Sequence, residues 1–260
     1  MSVYAYTPRK MQSVDRERVF VARRQLLEEL LETLRIQRQA DTLQHWMILG
    51  PRGIGKSHLL TLFNDKVREQ TALLGHWIPV LMNEEEQGVF SLHTLFVRIL
   101  VKLAESLSAL EQEEAAGEVS LFVEHLRDGE EKPRQILDTA VAFLKDFGHE
   151  KGRRLVVLLE NTDDLLTRCL PNERDVRHLR QILSAESFML LIAASPTFFE
   201  RIRNPSATLY NMFRLRRLEL LTYGEATELL GKWAELDGKK DLAGFFDRPD
   251  YRLRVLYHLT

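Results

Sequence analysis

Residues 50–57 read Gly50-Pro51-Arg52-Gly53-Ile54-Gly55-Lys56-Ser57, which satisfies G-x-x-x-x-G-K-[ST] in full. The residues before it, His45-Trp46-Met47-Ile48-Leu49, predict a short buried strand, and Leu59, Leu60 and Phe63 after it fall at helical spacing. Strand, glycine loop and helix together are the setting this pattern needs. Glycines let successive N–H groups turn toward phosphate oxygens, and a helix starting near Lys56 adds the positive end of its dipole. In such a loop Lys56 reaches the β- and γ-phosphates, the Ser57 hydroxyl ligates Mg²⁺, and Gly50 to Ser57 with His58 line the nucleotide.

The rest of the chain supplies the sheet this loop needs. His76 to Met82 predicts a second strand, and Pro79, which lacks a ladder donor, assigns it to a sheet edge. Leu155 to Leu159 and Phe188 to Ala194 are continuous apolar runs, the mark of strands buried on both faces of a parallel sheet. Phe213 to Leu220 predicts a last strand. Helices are expected from Arg23, from Lys56 to Gln70, from Leu92 to Leu110, from Pro133 to about Gly148, and through Val176, Leu179, Ile182 and Leu183. Alternating strands and helices give an α/β fold, a doubly wound parallel sheet of five strands. Acids dominate Glu111 to Glu131, which predicts an exposed helical insertion rather than core. Residues 1–18 are polar, contain Pro8, and predict an extended, loosely attached lead-in. Residues 19–221 form the core, and from Thr222 the pattern turns purely helical, as at the start of a lid.

Composition bounds the setting. A chain of 260 residues that is 45% hydrophobic and 28% charged can bury a core without staples, and its single cysteine, Cys169, excludes an intramolecular disulfide framework. Cys169 reads as a structural thiol. No apolar run approaches the roughly 18 residues of a membrane span, and no apolar signal core opens the chain, so a cytoplasmic protein is expected. A net charge of −2 makes no general case for nucleic acid.

A magnesium–nucleotide site needs an acid at a second strand end. The run Leu155–Leu159 ends in Glu160-Asn161-Thr162-Asp163-Asp164, so Glu160 is the metal-site acid and a catalytic candidate together with Asn161. An amide at position 161 hydrogen-bonds water but cannot take its proton, so slow hydrolysis is expected, or a different base such as Asp163, Asp164 or one of Glu84 to Glu86. Ser195 and Thr197 close the run Phe188–Ala194. One of them either senses the γ-phosphate or caps the following helix.

These segments resemble a known group. Phe20-Val21-Ala22-Arg23-Arg24 before a leucine helix is similar to the F-V-G-R-E box of origin-recognition-type AAA+ ATPases and of STAND ATPases. The box, the phosphate loop, LVVLLENTDDLL, MLLIAASPTFFERI and FRLRRLELLTYGEATELL follow that group's order over residues 15–260. The resemblance implies a P-loop fold of AAA+ type with a partial helical lid, and ATP with Mg²⁺ as cofactors. It implies packing of Val21 on adenine, Ser195 as sensor 1, and an arginine finger at Arg214 or Arg216. Two departures stand out. Glu160-Asn161 replaces the group's Asp-Glu, and the sensor 2 arginine expected after a helix such as Tyr251–Thr260 has no counterpart except Arg248, Arg252 or Arg254. An N-terminal ATPase fragment is therefore expected. Its function is either a switch that couples ATP binding and slow hydrolysis to conformational change, self-association or a protein partner, or an ATP-driven, DNA-associated loading ATPase. No aromatic interleaving or recognition helix supports DNA, and the helical lid fits a small-molecule kinase poorly.

Overall fold

The computed structural model describes residues 7–82 and 89–239. Strands β1 His45–Leu49, β2 Trp77–Leu81, β3 Arg154–Leu159, β4 Met189–Ser195 and β5 Phe213–Arg217 form one parallel sheet in the order β2-β3-β4-β1-β5. β2, with Pro79, lies at an edge, as the missing donor requires. β5 is shorter than the expected Phe213–Leu220. Only Phe213 to Arg217 pair with β1, although Leu218 N–H still donates to Leu49 O at 2.8 Å.

Helices α1 Ser13–Arg18, α2 Arg24–Gln37, α3 Lys56–Glu69, α4 Thr71–Leu74, α5 Leu92–Ser108, α6 Glu113–Asp128, α7 Pro133–Glu150, α8 Thr162–Asp164, α9 Glu173–Ala185, α10 Glu200–Arg203 and α11 Tyr223–Leu236 cover both faces, and a π-helical turn spans Leu165–Cys169. Strand parity separates two cores. Trp46, Ile48, Val156, Leu158, Leu190 and Ile192 meet α2 and α3, whereas Met47, Leu49, Val157, Leu159 and Leu191 meet α5, α7 and α9. Trp77 adds a buried bond, donating Nε1–H to Leu34 O at 3.0 Å.

Two expectations are corrected. The acid-rich segment is not an exposed insertion. α6 buries Ala116, Val119, Val123 and Leu126 in the larger core, because its acids fall on the outer face of an amphipathic helix. Residues 7–18 of the lead-in are likewise not loose. A 3₁₀ turn at Pro8–Lys10 and α1 pack on α3, with Arg16 only 4% exposed and paired with Asp65. The expected helix at Tyr251–Thr260, with Arg248, Arg252 and Arg254, lies outside the described residues, as do Glu84 to Glu86. Among the described residues no helix is long and apolar enough to cross a membrane.

β1 carries a buried His45. Its Nδ1 accepts Leu191 N–H at 3.0 Å, which puts the ring proton on Nε2, 3.0 Å from Leu183 O. Burial pushes its pKa down, only partly opposed by the Leu183 bond. The folded value therefore lies below the unfolded one. His45 contributes its full stability above about pH 6.5 and loses it as pH falls further, at up to about 1.4 kcal/mol per pH unit. His58, also depressed by burial, acts in the same sense. A His45→Gln variant is expected to show a shallower loss of unfolding free energy between pH 7 and 5 than the wild type. Parallel acid limbs in urea titrations would refute this.

Candidate functional site

The carboxyl ends of β1, β3 and β4 bring the predicted residues together. Gly50 leaves β1 as a buried residue whose N–H donates to Ser195 O on β4 at 3.2 Å. Gly53 and Gly55 then adopt φ +80° and +99°, conformations that a side chain disfavours, and Gly55 is the N-cap of α3. Pro51, Arg52 and Gly53 are exposed, and Ile54 is half-buried beneath them. Lys56 is buried and donates its Nζ to Gly50 O at 2.6 Å and Pro51 O at 2.9 Å, bracing the loop from inside.

Ser57 and Glu160 meet directly, with the hydroxyl donating to Glu160 Oε2. Glu160 is 6% exposed, and its Oε1 accepts from Arg9 Nη2 at 2.7 Å. A hydroxyl and a carboxylate side by side at a helix N-terminus are hard oxygen donors that fit Mg²⁺, which takes few protein ligands and completes its shell with phosphate and water. Asn161 follows at φ +47°, a left-handed conformation that asparagine tolerates better than most residues. Asp164 is engaged by Arg168 at 2.8 Å, whereas Asp163 Oδ1 is buried without a hydrogen-bond partner.

Ser195 is fully buried beside Leu49, its Oγ donating to Thr197 O at 2.7 Å and accepting Thr197 N–H at 3.3 Å. The capping alternative does not hold, since Phe199 is the N-cap of α10.

The Phe20–Arg24 box closes the other side. Phe20 and Val21 are buried, and the Phe20 ring lies 5.3 Å from His58. The His58 Nε2 lies 2.8 Å from Arg16 O. Ala22 and Arg23 are both left-handed, at φ +59° and +51°, so α2 starts one residue later than its leucine stripe suggested. This turn lays the Arg23 guanidinium over the phosphate loop, where a Cβ on Gly55 would stand 2.9 Å from it. Arg23 also donates to Glu219 O at 3.2 Å. Burial lowers its pKa, and Glu225 opposes the shift. Glu225 in turn forms a capping box with Thr222 at the start of α11.

Three arginines near β5 are engaged within the chain. Arg214 and Arg216 lie 4.5 and 5.4 Å from the Trp46 ring, and Arg216 also pairs with Glu29 at 3.1 Å. Arg201 donates to the carbonyls of Leu166, Leu170 and Pro171. An apolar cavity under the sheet, lined by Phe96, Val157, Leu165 and Leu191, has no charged wall for a phosphate. Arg9 and Arg23 are the site residues that motif reasoning missed. Arg9 carries no local signal because it arrives by chain reversal, whereas Arg23 stood inside the box already quoted.

Residues 19–201 match the family model described as AAA ATPase domain. No curated protein matches the chain. Among solved structures, the Aeropyrum pernix ORC1 protein in complex with DNA is 14% identical, with TM-score 0.58 over 84% of this chain and 50% of that one. The Aeropyrum pernix ORC2 protein, in ADPNP–ADP complexes, is 19% identical, with TM-score 0.54 over 83% and 52%. Cdc6p from Pyrobaculum aerophilum is 15% identical, with TM-score 0.53 over 91% and 60%. At these identities the likeness is one of fold, and the chain spans about half the length of the two Aeropyrum proteins.

The left-handed Ala22 stands where the F-V-G-R-E box has glycine. An Ala22→Gly variant is expected to gain up to about 1 kcal/mol from relief of the αL penalty, less what glycine adds to the entropy of the unfolded chain. Denaturant unfolding decides it: a loss of stability would show that the turn is not strained.

Proposed function

This chain belongs to the AAA ATPase domain family, and from that premise we propose that it works as a switch. Binding of ATP with Mg²⁺ sets its conformation or its association with a second copy or a protein partner, and hydrolysis only slowly resets it. In this reading Gly50, Pro51, Arg52, Gly53, Ile54, Gly55 and Lys56 cradle the phosphates, Ser57 and Glu160 hold Mg²⁺, and Val21 with its neighbours borders the adenine. His58 supports that border through Phe20. Ser195 reports on the γ-phosphate from the end of β4, and α11 begins a helical lid.

The observation that carries the proposal is the Glu160–Asn161 pair. Glu160 is built into the loop through Ser57, so the binding half of the site is assembled. The next residue is an amide that cannot act as a general base. Arg23 supports the coupling half, because one side chain lies on Gly55, bonds Glu219 O, and feels the charge of Glu225 on α11. Movement of the loop on filling would thus be transmitted to α11. A DNA-associated loading ATPase is the competing reading. It draws on the DNA complex of the ORC1 neighbour, and is weakened by the internal engagement of Arg201, Arg214 and Arg216.

Lys56→Ala is expected to abolish binding of a fluorescent ATP analogue while the circular dichroism spectrum is kept; unchanged affinity would defeat the nucleotide assignment. In single-turnover assays the wild type is expected to be slow, and Asn161→Glu faster by about tenfold or more, at a stability cost of about 1 kcal/mol for a non-asparagine residue in the left-handed region. A fast wild type that glutamate does not accelerate would count against the switch. Salt-dependent affinity for random duplex DNA would favour the competing reading.

A further inference from the structure

The residue that holds Glu160 from the far side is Arg9. Its Nη2 donates both to Glu160 Oε1, at 2.7 Å, and to Met82 O, so one guanidinium nitrogen ties the ends of β2 and β3 together. Both oxygens of the carboxylate are thereby engaged: one by this cation, the other by the Ser57 hydroxyl. The segment that delivers Arg9 is firmly built. Arg16 donates to Pro8 O at 2.9 Å and to Met11 O at 2.7 Å, closing the turn that presents Arg9. Arg16 itself pairs with Asp65 on α3. Further along, Ser13 bonds Glu69 at 2.8 Å and Glu17 pairs with Lys66 at 2.7 Å, both partners again on α3. His58 contacts the Arg16 carbonyl immediately after Ser57. Residues 8–18 are therefore a strap along the very helix that carries Lys56 and Ser57.

We propose that this strap is an intramolecular gate on the divalent cation, with Arg9 as a competing charge for Glu160. The inference rests on the Mg²⁺–nucleotide reading of the site. A guanidinium and a metal ion satisfy the same carboxylate, and two positive charges beside one buried oxygen pair repel strongly. Loading Mg²⁺ between Ser57 and Glu160 Oε2 therefore works against the Arg9 charge held on Oε1 and weakens that bond. When metal is scarce Arg9 has the opposite value, because it neutralises Glu160 beside the incoming phosphates. Arg9 is thus a positioning residue whose removal changes metal demand and metal-free affinity in opposite senses, a pattern that general damage to the fold would not produce.

The test is binding of a fluorescent ATP analogue, titrated with MgCl₂ and repeated in EDTA, for wild type, Arg9→Ala and Lys10→Ala. Arg9→Ala is expected to lower the half-saturating Mg²⁺ concentration by about tenfold, the worth of one charge-assisted hydrogen bond, and to weaken binding in EDTA. Lys10→Ala, which removes an equal charge from an exposed neighbour, is expected to match the wild type in both. If Arg9→Ala does not fold by circular dichroism, Arg9→Gln is read in the same way. A half-saturating Mg²⁺ concentration that is unchanged or raised, with nucleotide still bound, overturns the gate and leaves the nucleotide reading standing. A wild type that binds no nucleotide at any Mg²⁺ concentration overturns both.

Discussion

Everything at the loop end of the sheet depends on how β1 is held. Each residue of His45–Leu49 is buried, and the strand is laddered to β4 on one side and β5 on the other. The clamp extends one residue past the strand, through Gly50 N–H to Ser195 O and Leu218 N–H to Leu49 O. A chain leaving such a strand must turn at once or clash with the helices above. The two left-handed glycines provide that turn, so rigidity in the strand and freedom in the loop are parts of one arrangement. This is also where ligands gather in open α/β sheets, outside the carboxyl ends of the strands where the strand order reverses.

Charge is the second theme. Lys56, Glu160 and Arg16 are all buried near the loop, and an unpaired charge there would cost several kcal/mol. None is left so. Lys56 is held by two loop carbonyls, Glu160 by Ser57 and Arg9, and Arg16 by Asp65 and two carbonyls of the turn it closes. The protein therefore carries its own counter-charges into the region where it would meet a polyanion and a metal. Binding there would be an exchange of partners rather than the filling of a bare hollow.

What was legible in the sequence follows from how local the signal is. The loop, the five strands and the edge position given by Pro79 rest on a residue and its near neighbours, and they could be read directly. The acidic tract misled because average charge hides periodicity: Ala116, Val119, Val123 and Leu126 are a helical stripe diluted by glutamates. The lead-in misled because its anchors, Arg16 to Asp65 and Arg9 to Glu160, span tens of residues and leave no pattern. The arginines around β5 looked available, since a charged residue announces nothing about an aromatic ring or a glutamate waiting on another element.

Those arginines also guard the sheet edge on which they stand. β5 is an edge strand of alternating character, with Arg214, Leu215 and Arg217 exposed. A second copy approaching edge to edge would bring like charges into register, which is a recognised defence against unlimited sheet growth. This edge of the sheet is thereby closed chemically where it is open geometrically. A backbone ladder that would lengthen across β5 is disfavoured by the charges that β5 itself carries.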